Sequence, residues 1–159
     1  MTDAPKLTLL ERTKVQAEVL VPLVRAMERE LGKDAAHRLV RDAIGSQVRE
    51  QVRANATGRP QDTVEWGFRI SRAGGALDHE YRDSVDGEIN VDVTRCEFAS
   101  FYQQLGAPDL GFLLVCMLDY DIADGVDGLE LERTQTIMQG ADHCNFRWKI
   151  DTSTAPPPG

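Results

Sequence analysis

The hydrophobic period changes near Gly74, and that change does most to limit what this chain can fold into. Before Gly74, apolar residues recur every three or four positions: Leu20, Val24, Met27 and Leu31, then Ala36, Leu39, Val40, Ala43, Ile44 and Val48. Those stripes each fit one face of a helix. From Leu77 onward runs with a period of two appear. Leu77, His79 and Tyr81 alternate with polar residues, and so do Ile89, Val91 and Val93 beyond the turn pair Asp86-Gly87. Alternation on both sides of an Asp-Gly pair predicts a β-hairpin. Cys144, Phe146, Trp148 and Ile150 form a further alternating run. Helices first and strands later, with two helices among the strands, predict an α+β fold. N-terminal helices would pack on an antiparallel sheet of about four strands with two inserted helices.

Local signals set the expected boundaries. Thr8 and Glu11 have capping-box spacing ahead of the first helix, and Gly32 is a suitable stop. Pro22 would kink that helix or divide it. A second helix is expected from about residue 34 to 54 with Asp34 as its cap, ending at Gly58-Arg59-Pro60. Asp62 would cap a third, shorter helix through Trp66 and Ile70, although Val64 to Phe68 also alternates like a strand. Thr94 and Glu97 form a second capping box, opening a helix through Phe98, Phe101, Tyr102 and Leu105 that Gly106 stops. Pro108 opens the next helix, whose Leu110, Leu113, Leu114, Met117 and Leu118 should be buried. Leu129, Leu131 and Ile137 read as extended, and residues 139–143 connect to the last strand. Residues 8–150 are expected to form a single domain, with 151–159 a disordered Pro-rich tail.

Composition excludes several partners. The chain has 159 residues, enough for one domain with a real core, and a net charge of −8. Nucleic acid and anionic membrane surfaces both favour a basic face, so neither is an expected partner. No apolar run reaches the length of a membrane span, and Met1 to Lys6 lack the regions of a signal peptide. A cytoplasmic location is expected, and three cysteines fit a reducing compartment better than a disulfide framework.

Several residues could carry chemistry. Cys96 falls two positions after the expected cap Thr94, where free N–H groups would favour its thiolate; the alternative is a small buried thiol. Cys116, Asp119 and Tyr120 share a helix face. A carboxylate on so apolar a helix is costly unless paired, so Asp119 would either pair with Arg133 or Arg147 or handle a proton. Asp121 reads as the solvated end of that helix. His143 and Cys144 are adjacent on a strand entrance and should point to opposite faces. His79 is a lone strand histidine, more often structural than functional. The hydroxyls of Thr134 and Thr136 could contact a substrate or could be ordinary strand threonines. Three cysteines with a His or Asp could hold zinc, but no C-x-x-C pair is present. There is no phosphate loop or dinucleotide fingerprint.

Arg95-Cys96, Leu105-Gly106, Leu110-Gly111, Cys116-x-x-Asp119, Arg133-Thr134-Gln135-Thr136 and Gly140-x-x-x-Cys144-x-Phe146-Arg147 stand in order along residues 75–150. In these motifs the chain resembles the L-2-amino-thiazoline-4-carboxylic acid hydrolase family. The resemblance implies hydrolysis of a carbon–nitrogen bond in a small cyclic amidine bearing a carboxylate. The positions that match the family's motifs are Cys96, Cys116, Asp119, Arg133, Thr134, Thr136, Gly140, Cys144 and Arg147; of these Cys96, Cys116, Asp119 and Cys144 are the expected catalytic residues and Arg133, Thr134, Thr136 and Arg147 the expected substrate contacts, with the neighbouring His143 a further substrate-binding candidate. Asn145 stands where many relatives are expected to carry an acidic residue. The expected mechanism has the Cys116 thiolate attack the C=N carbon while Asp119 handles the proton and Arg133 or Arg147 holds the carboxylate. No cofactor is expected, with zinc held by the cysteines as the alternative. The family also resembles cysteine-bearing ligand-binding domains of the vinyl-reductase type, which leaves a non-catalytic sensor as a second reading. Apolar stripes on the first two helices make a homodimer plausible.

Overall fold

The computed structural model describes residues 6–56 and 58–154. Of the stretch read for a signal peptide, Met1 to Lys6, residues 1–5 fall outside that range, as do residues 155–159 of the tail expected over 151–159.

Helix α1 spans Leu9–Leu31. Its capping box forms as the sequence predicts: Thr8 Oγ1 accepts the Glu11 N–H and the Glu11 carboxylate accepts the Thr8 N–H. The helix runs through Pro22 without dividing. Helix α2, Lys33–Asn55, starts directly after Gly32, so Gly32 rather than Asp34 occupies the cap position. Asp34 lies in the first turn, where its charge still suits the positive end of the helix. Helix α3 covers Pro60–Ser71. Val64 and Phe68, one turn apart, are both buried, and that helical pairing overrides the strand-like alternation. Asp62 is not the cap; its carboxylate reaches back to the Arg59 N–H at 2.9 Å.

The sheet is antiparallel throughout, with strands β1 (Leu77–Arg82), β2 (Glu88–Cys96), β3 (Leu129–Glu132) and β4 (Cys144–Ile150) in the spatial order β1-β2-β4-β3. The hairpin at Asp86-Gly87 joins β1 to β2 as expected. Val91 faces Phe146, Val93 faces Cys144 and Ile89 faces Trp148. These residues and their neighbours across β1, His79 and Tyr81, share one face. Asp92, Asn145 and Arg147 point from the other.

Strand β2 extends further than the sequence suggests. Thr94, Arg95 and Cys96 are strand residues, with Arg95 paired to Asp78 and Cys96 to Leu77. Pairing with β1 overrides the second capping box: helix α4 begins at Glu97, runs to Gln104, and has Cys96 as its cap residue. The apolar helix expected after Pro108 is broken into α5 (Pro108–Gly111), a π-helical turn (Phe112–Cys116) and α6 (Leu118–Asp124). Ile137 belongs to a short 3-10 turn, Ile137–Gln139, rather than to extended chain. A second such turn, Thr152–Thr154, follows β4.

Two apolar cores meet inside this arrangement. One is helical, built on Ala17, Val24, Phe98, Tyr102, Leu110 and Leu114; the other lies on the sheet and holds Val91, Val93, Cys144, Phe146 and Trp148. Cys96 and Ile137 pack against both. Asp121, expected at a solvated end, is instead 1 % exposed. Its two oxygens take Arg41 at 2.7 Å and Arg49 at 2.6 Å, which fastens α6 to α2. No helix among the described residues is long and apolar enough to cross a membrane.

Candidate active site

The seam between the two cores is where five of the nominated residues converge. Cys96 comes from the β2–α4 junction, Cys116 from the end of the π-turn, Asp119 from α6, Arg133 from the segment after β3 and Cys144 from the start of β4. They are near enough for their charges to act on one another.

Backbone irregularity shapes this place. In the π-turn the Met117 N–H donates to the Phe112 carbonyl five residues back. The Tyr120 N–H then bonds Met117 O rather than Cys116 O. The Cys116 carbonyl is thereby released from the helical ladder and accepts from Arg133 Nη2 at 2.7 Å. Single π-turns inside α-helices concentrate at functional sites, because they aim a side chain or carbonyl that a regular helix would keep engaged. Gly111 lets this segment approach its neighbours: a Cβ there would lie 2.5 Å from Met138 Sδ and 2.6 Å from the Tyr102 ring.

Arg133 is the hub. Its Nη1 donates to Asp119 Oδ2 at 2.6 Å, and its guanidinium lies 5.1 Å from the Tyr120 ring centre and 4.9 Å from that of Phe146. The Tyr120 hydroxyl donates to the Arg133 carbonyl. The Arg133 side chain is 2 % exposed, whereas that of Asp119 keeps 33 %. Asp119 lies deep enough that burial, only partly opposed by Arg133, raises its pKa. Its Oδ1 has no hydrogen-bond partner among the described residues.

All three thiols are pushed up. Burial dominates at Cys116, and the Asp119 charge adds to it. Burial brings Cys144 to about 11, opposed by the Ile137 N–H, which points at its sulfur at 3.2 Å. Cys96 also rises through burial, despite the Ala99 and Phe98 N–H groups at the start of α4. The sequence placed Cys96 correctly at a helix N-terminus, but desolvation outweighs the helix there and the neutral thiol is favoured. The three sulfurs do not form a preformed metal cluster: among the described residues the one group of three close enough to share an ion is Glu28, His37 and Asp109. Arg25 and Lys33 already pair with its carboxylates, and His37 contacts Glu28 at 2.6 Å.

The remaining nominated residues lie elsewhere. Arg147 points from the opposite face of the sheet, where it and Arg82 hold Asp92. His143 is on that side as well, 2.6 Å from Asp142 and 3.9 Å from Asp92. It and Cys144 do face opposite ways, as adjacent strand residues must. Thr134 Oγ1 accepts from Asn145 Nδ2 at 2.7 Å. Thr136 is buried, and its hydroxyl caps the 3-10 turn by accepting the Gln139 N–H. Gly140 closes that turn at φ 99°, a left-handed conformation suited to glycine. His79 stacks on Phe68 beside α3.

Three further side chains, to which the sequence assigned no role, complete the arrangement. Asn145 Oδ1 accepts the N–H groups of both Thr134 and Gln135, tying the Arg133 segment to β4. Tyr120 and Phe146 enclose the guanidinium. The sequence pointed to Tyr120 and Phe146 through spacing, since Tyr120 shares a helix face with Cys116 and Phe146 alternates with Cys144, and to Asn145 through its departure from the family's motif.

A small α+β protein with a thiol and a partly accessible carboxylate one helical turn apart, both anchored by a buried arginine, has the parts of a hydrolase site. The model of the L-2-amino-thiazoline-4-carboxylic acid hydrolase family matches residues 12–148, and the chain belongs to that family. No curated protein matches the chain.

Proposed function

We propose that this protein hydrolyses a carbon–nitrogen bond of a small cyclic amidine bearing a carboxylate, with Cys116 as nucleophile and Asp119 as proton acceptor. The observation that carries this reading is the Cys116–Asp119 pair: a protonated thiol beside a carboxylate whose Oδ1 is unengaged and whose Oδ2 is held by Arg133. An amidine is basic and enters as a cation. A cation beside these two groups favours their charged forms and offsets the burial that keeps the thiol neutral in its absence. Cys116 Sγ then bonds to the amidine carbon as its proton passes to Asp119. Asp119 returns that proton to the nitrogen that leaves as the C–N bond breaks. The adduct is a thioimidate that keeps the second nitrogen; water adds to its carbon, the C–S bond breaks as the carbonyl forms, and a proton from that water restores the thiol, so the net reaction consumes one water.

Arg133 has its polar groups committed to Asp119 and to the Cys116 carbonyl. In this reading it orients the acid rather than holding the substrate carboxylate. Arg147, on the far face of the sheet, does not take part.

The test uses 2-amino-thiazoline-4-carboxylate with purified protein, following ring-opened product and intact-protein mass together. Product formation that disappears in Cys116→Ala but persists in Cys96→Ala supports the reading. Near-normal turnover by Cys116→Ala sinks the thiol mechanism, and stoichiometric zinc in the active protein would point to a metal-bound water as nucleophile instead.

A further inference from the structure

Helix α1 carries an unexplained apolar stripe on the side turned away from the core. Val15, Val19 and Leu23 follow one another at a spacing of four and are 57 %, 67 % and 52 % exposed. The residues α1 gives to the core, Thr13, Ala17 and Val24, lie on its other side. Isolated exposed apolar residues need no explanation, but three in register on one helix make a patch.

The stripe ends in opposite charges. At 100° per residue, Arg12 and Glu30 fall on the same line as Val19. Both are exposed, and neither has an ion-pair partner among the described residues. Four of these residues are palindromic about position 21: Arg12 stands nine residues before it and Glu30 nine after, while Val19 and Leu23 stand two on either side; Val15 lies outside the palindrome, because its counterpart Met27 packs on the core. A surface with a cation at one end, an anion at the other and apolar residues between is self-complementary under a two-fold rotation.

We infer that α1 docks antiparallel against α1 of a second copy of this chain, across a two-fold axis near Val21. Arg12 of each copy meets Glu30 of the other, and Val19 of each meets Leu23 of the other. The charged ends are separated by about 27 Å along the helix, at 1.5 Å per residue. Antiparallel pairing is selected over parallel because a parallel pair would set Arg12 against Arg12 and Glu30 against Glu30. One helix from each side makes a small interface, so the dimer has micromolar affinity rather than obligate stability.

Sedimentation equilibrium of the full chain over about 1–200 µM reads this directly. The expected result is a monomer–dimer equilibrium whose dissociation constant rises at least about tenfold in Val19→Asp. Arg12→Glu and Glu30→Arg should each weaken association by about fivefold, and the double reversal should return it to within about twofold of the parent. Because these positions are exposed, the variants should keep the parent far-UV spectrum. A parent that stays monomeric across the range overturns the inference. So does a dimer indifferent to Val19→Asp, or a double reversal no better than the single ones. None of these readouts depends on hydrolase activity.

Discussion

Arg133 donates to Asp119 Oδ2 at 2.6 Å, while its second terminal nitrogen holds the Cys116 carbonyl at 2.7 Å, so one guanidinium ties the acid to the turn that presents the thiol. If Asp119 accepts the proton, activity requires its ionised form and falls as pH drops through its pKa. Burial already sets that pKa above the usual carboxylate range, and Arg133 is what pulls it down. Arg133→Gln should therefore move the acid limb of kcat/KM to higher pH and lower the plateau by about 100-fold. An acid limb that stays in place would remove Asp119 from the proton-accepting role.

Thiol reactivity should show the same electrostatics. With all three cysteines shifted toward the neutral form, iodoacetamide should label the native protein much more slowly at pH 8 than it labels free cysteine. The rate should climb with pH rather than level off near pH 9, and Cys144 should be half ionised only at about 11. A cyclic amidinium bound at the site should raise Cys116 labelling at pH 8, provided it leaves the sulfur open. Fast labelling of Cys116 at pH 7 in the free protein would show that a cation other than substrate already stabilises its thiolate.

How much of this was readable beforehand depends on range. The period change located the helical and sheet portions, and the Asp-Gly pair located the hairpin, because both are local signals. Thr94 misled for the opposite reason: its capping spacing is local, but the claim of β1 on Arg95 and Cys96 is not. The π-turn left no trace in the apolar run from Leu110 to Leu118. Asp121 looked solvated because its partners, Arg41 and Arg49, come from a helix about 70 to 80 residues earlier. The pair Cys116 and Asp119 was visible from helical spacing alone, whereas the commitment of Arg133 to Asp119, and of Arg147 to Asp92 on the other face, required the sheet.

Acid should loosen the junction of α1, α2 and α5. Hydrogen bonds from Arg25, with Lys33 in support, hold the Asp109 carboxyl well below its ordinary range. A depressed carboxylate contributes stability above its unfolded pKa, about 3.9, and that contribution is lost as pH falls through the folded value. Arg25→Ala should thus lower stability at pH 7 by about 1 kcal/mol, a modest figure because both side chains are about one-third exposed. The deficit should shrink as pH falls from about 3.9 toward the depressed folded value, the range over which the parent loses the same interaction. Urea unfolding at pH 7 and at pH 2.5 measures both, and an equal deficit at the two pH values would place its cause in packing rather than in the ion pair.

Asp121 tests whether the helix bearing Asp119 depends on its anchor. It is buried between Arg41 and Arg49, with its oxygens at 2.7 and 2.6 Å from them. Removing the carboxylate leaves two arginines facing each other with no anion between them, a loss of about 3–5 kcal/mol where such pairs are buried. Asp121→Ala should lower the melting temperature by about 6–20 °C, at roughly 2–4 °C per kcal/mol for a chain of this size. Adding Arg41→Met and Arg49→Met to Asp121→Ala should recover much of that loss, because the cost lies in the unpaired charges rather than in the missing contact. Asp119 stands two residues before Asp121 on the same short helix. The single variant, assayed well below its melting temperature, should therefore also lose turnover, and the triple variant should regain it together with stability. Stability restored without turnover would show that the arginines themselves, and not merely a fastened α6, are needed at the site.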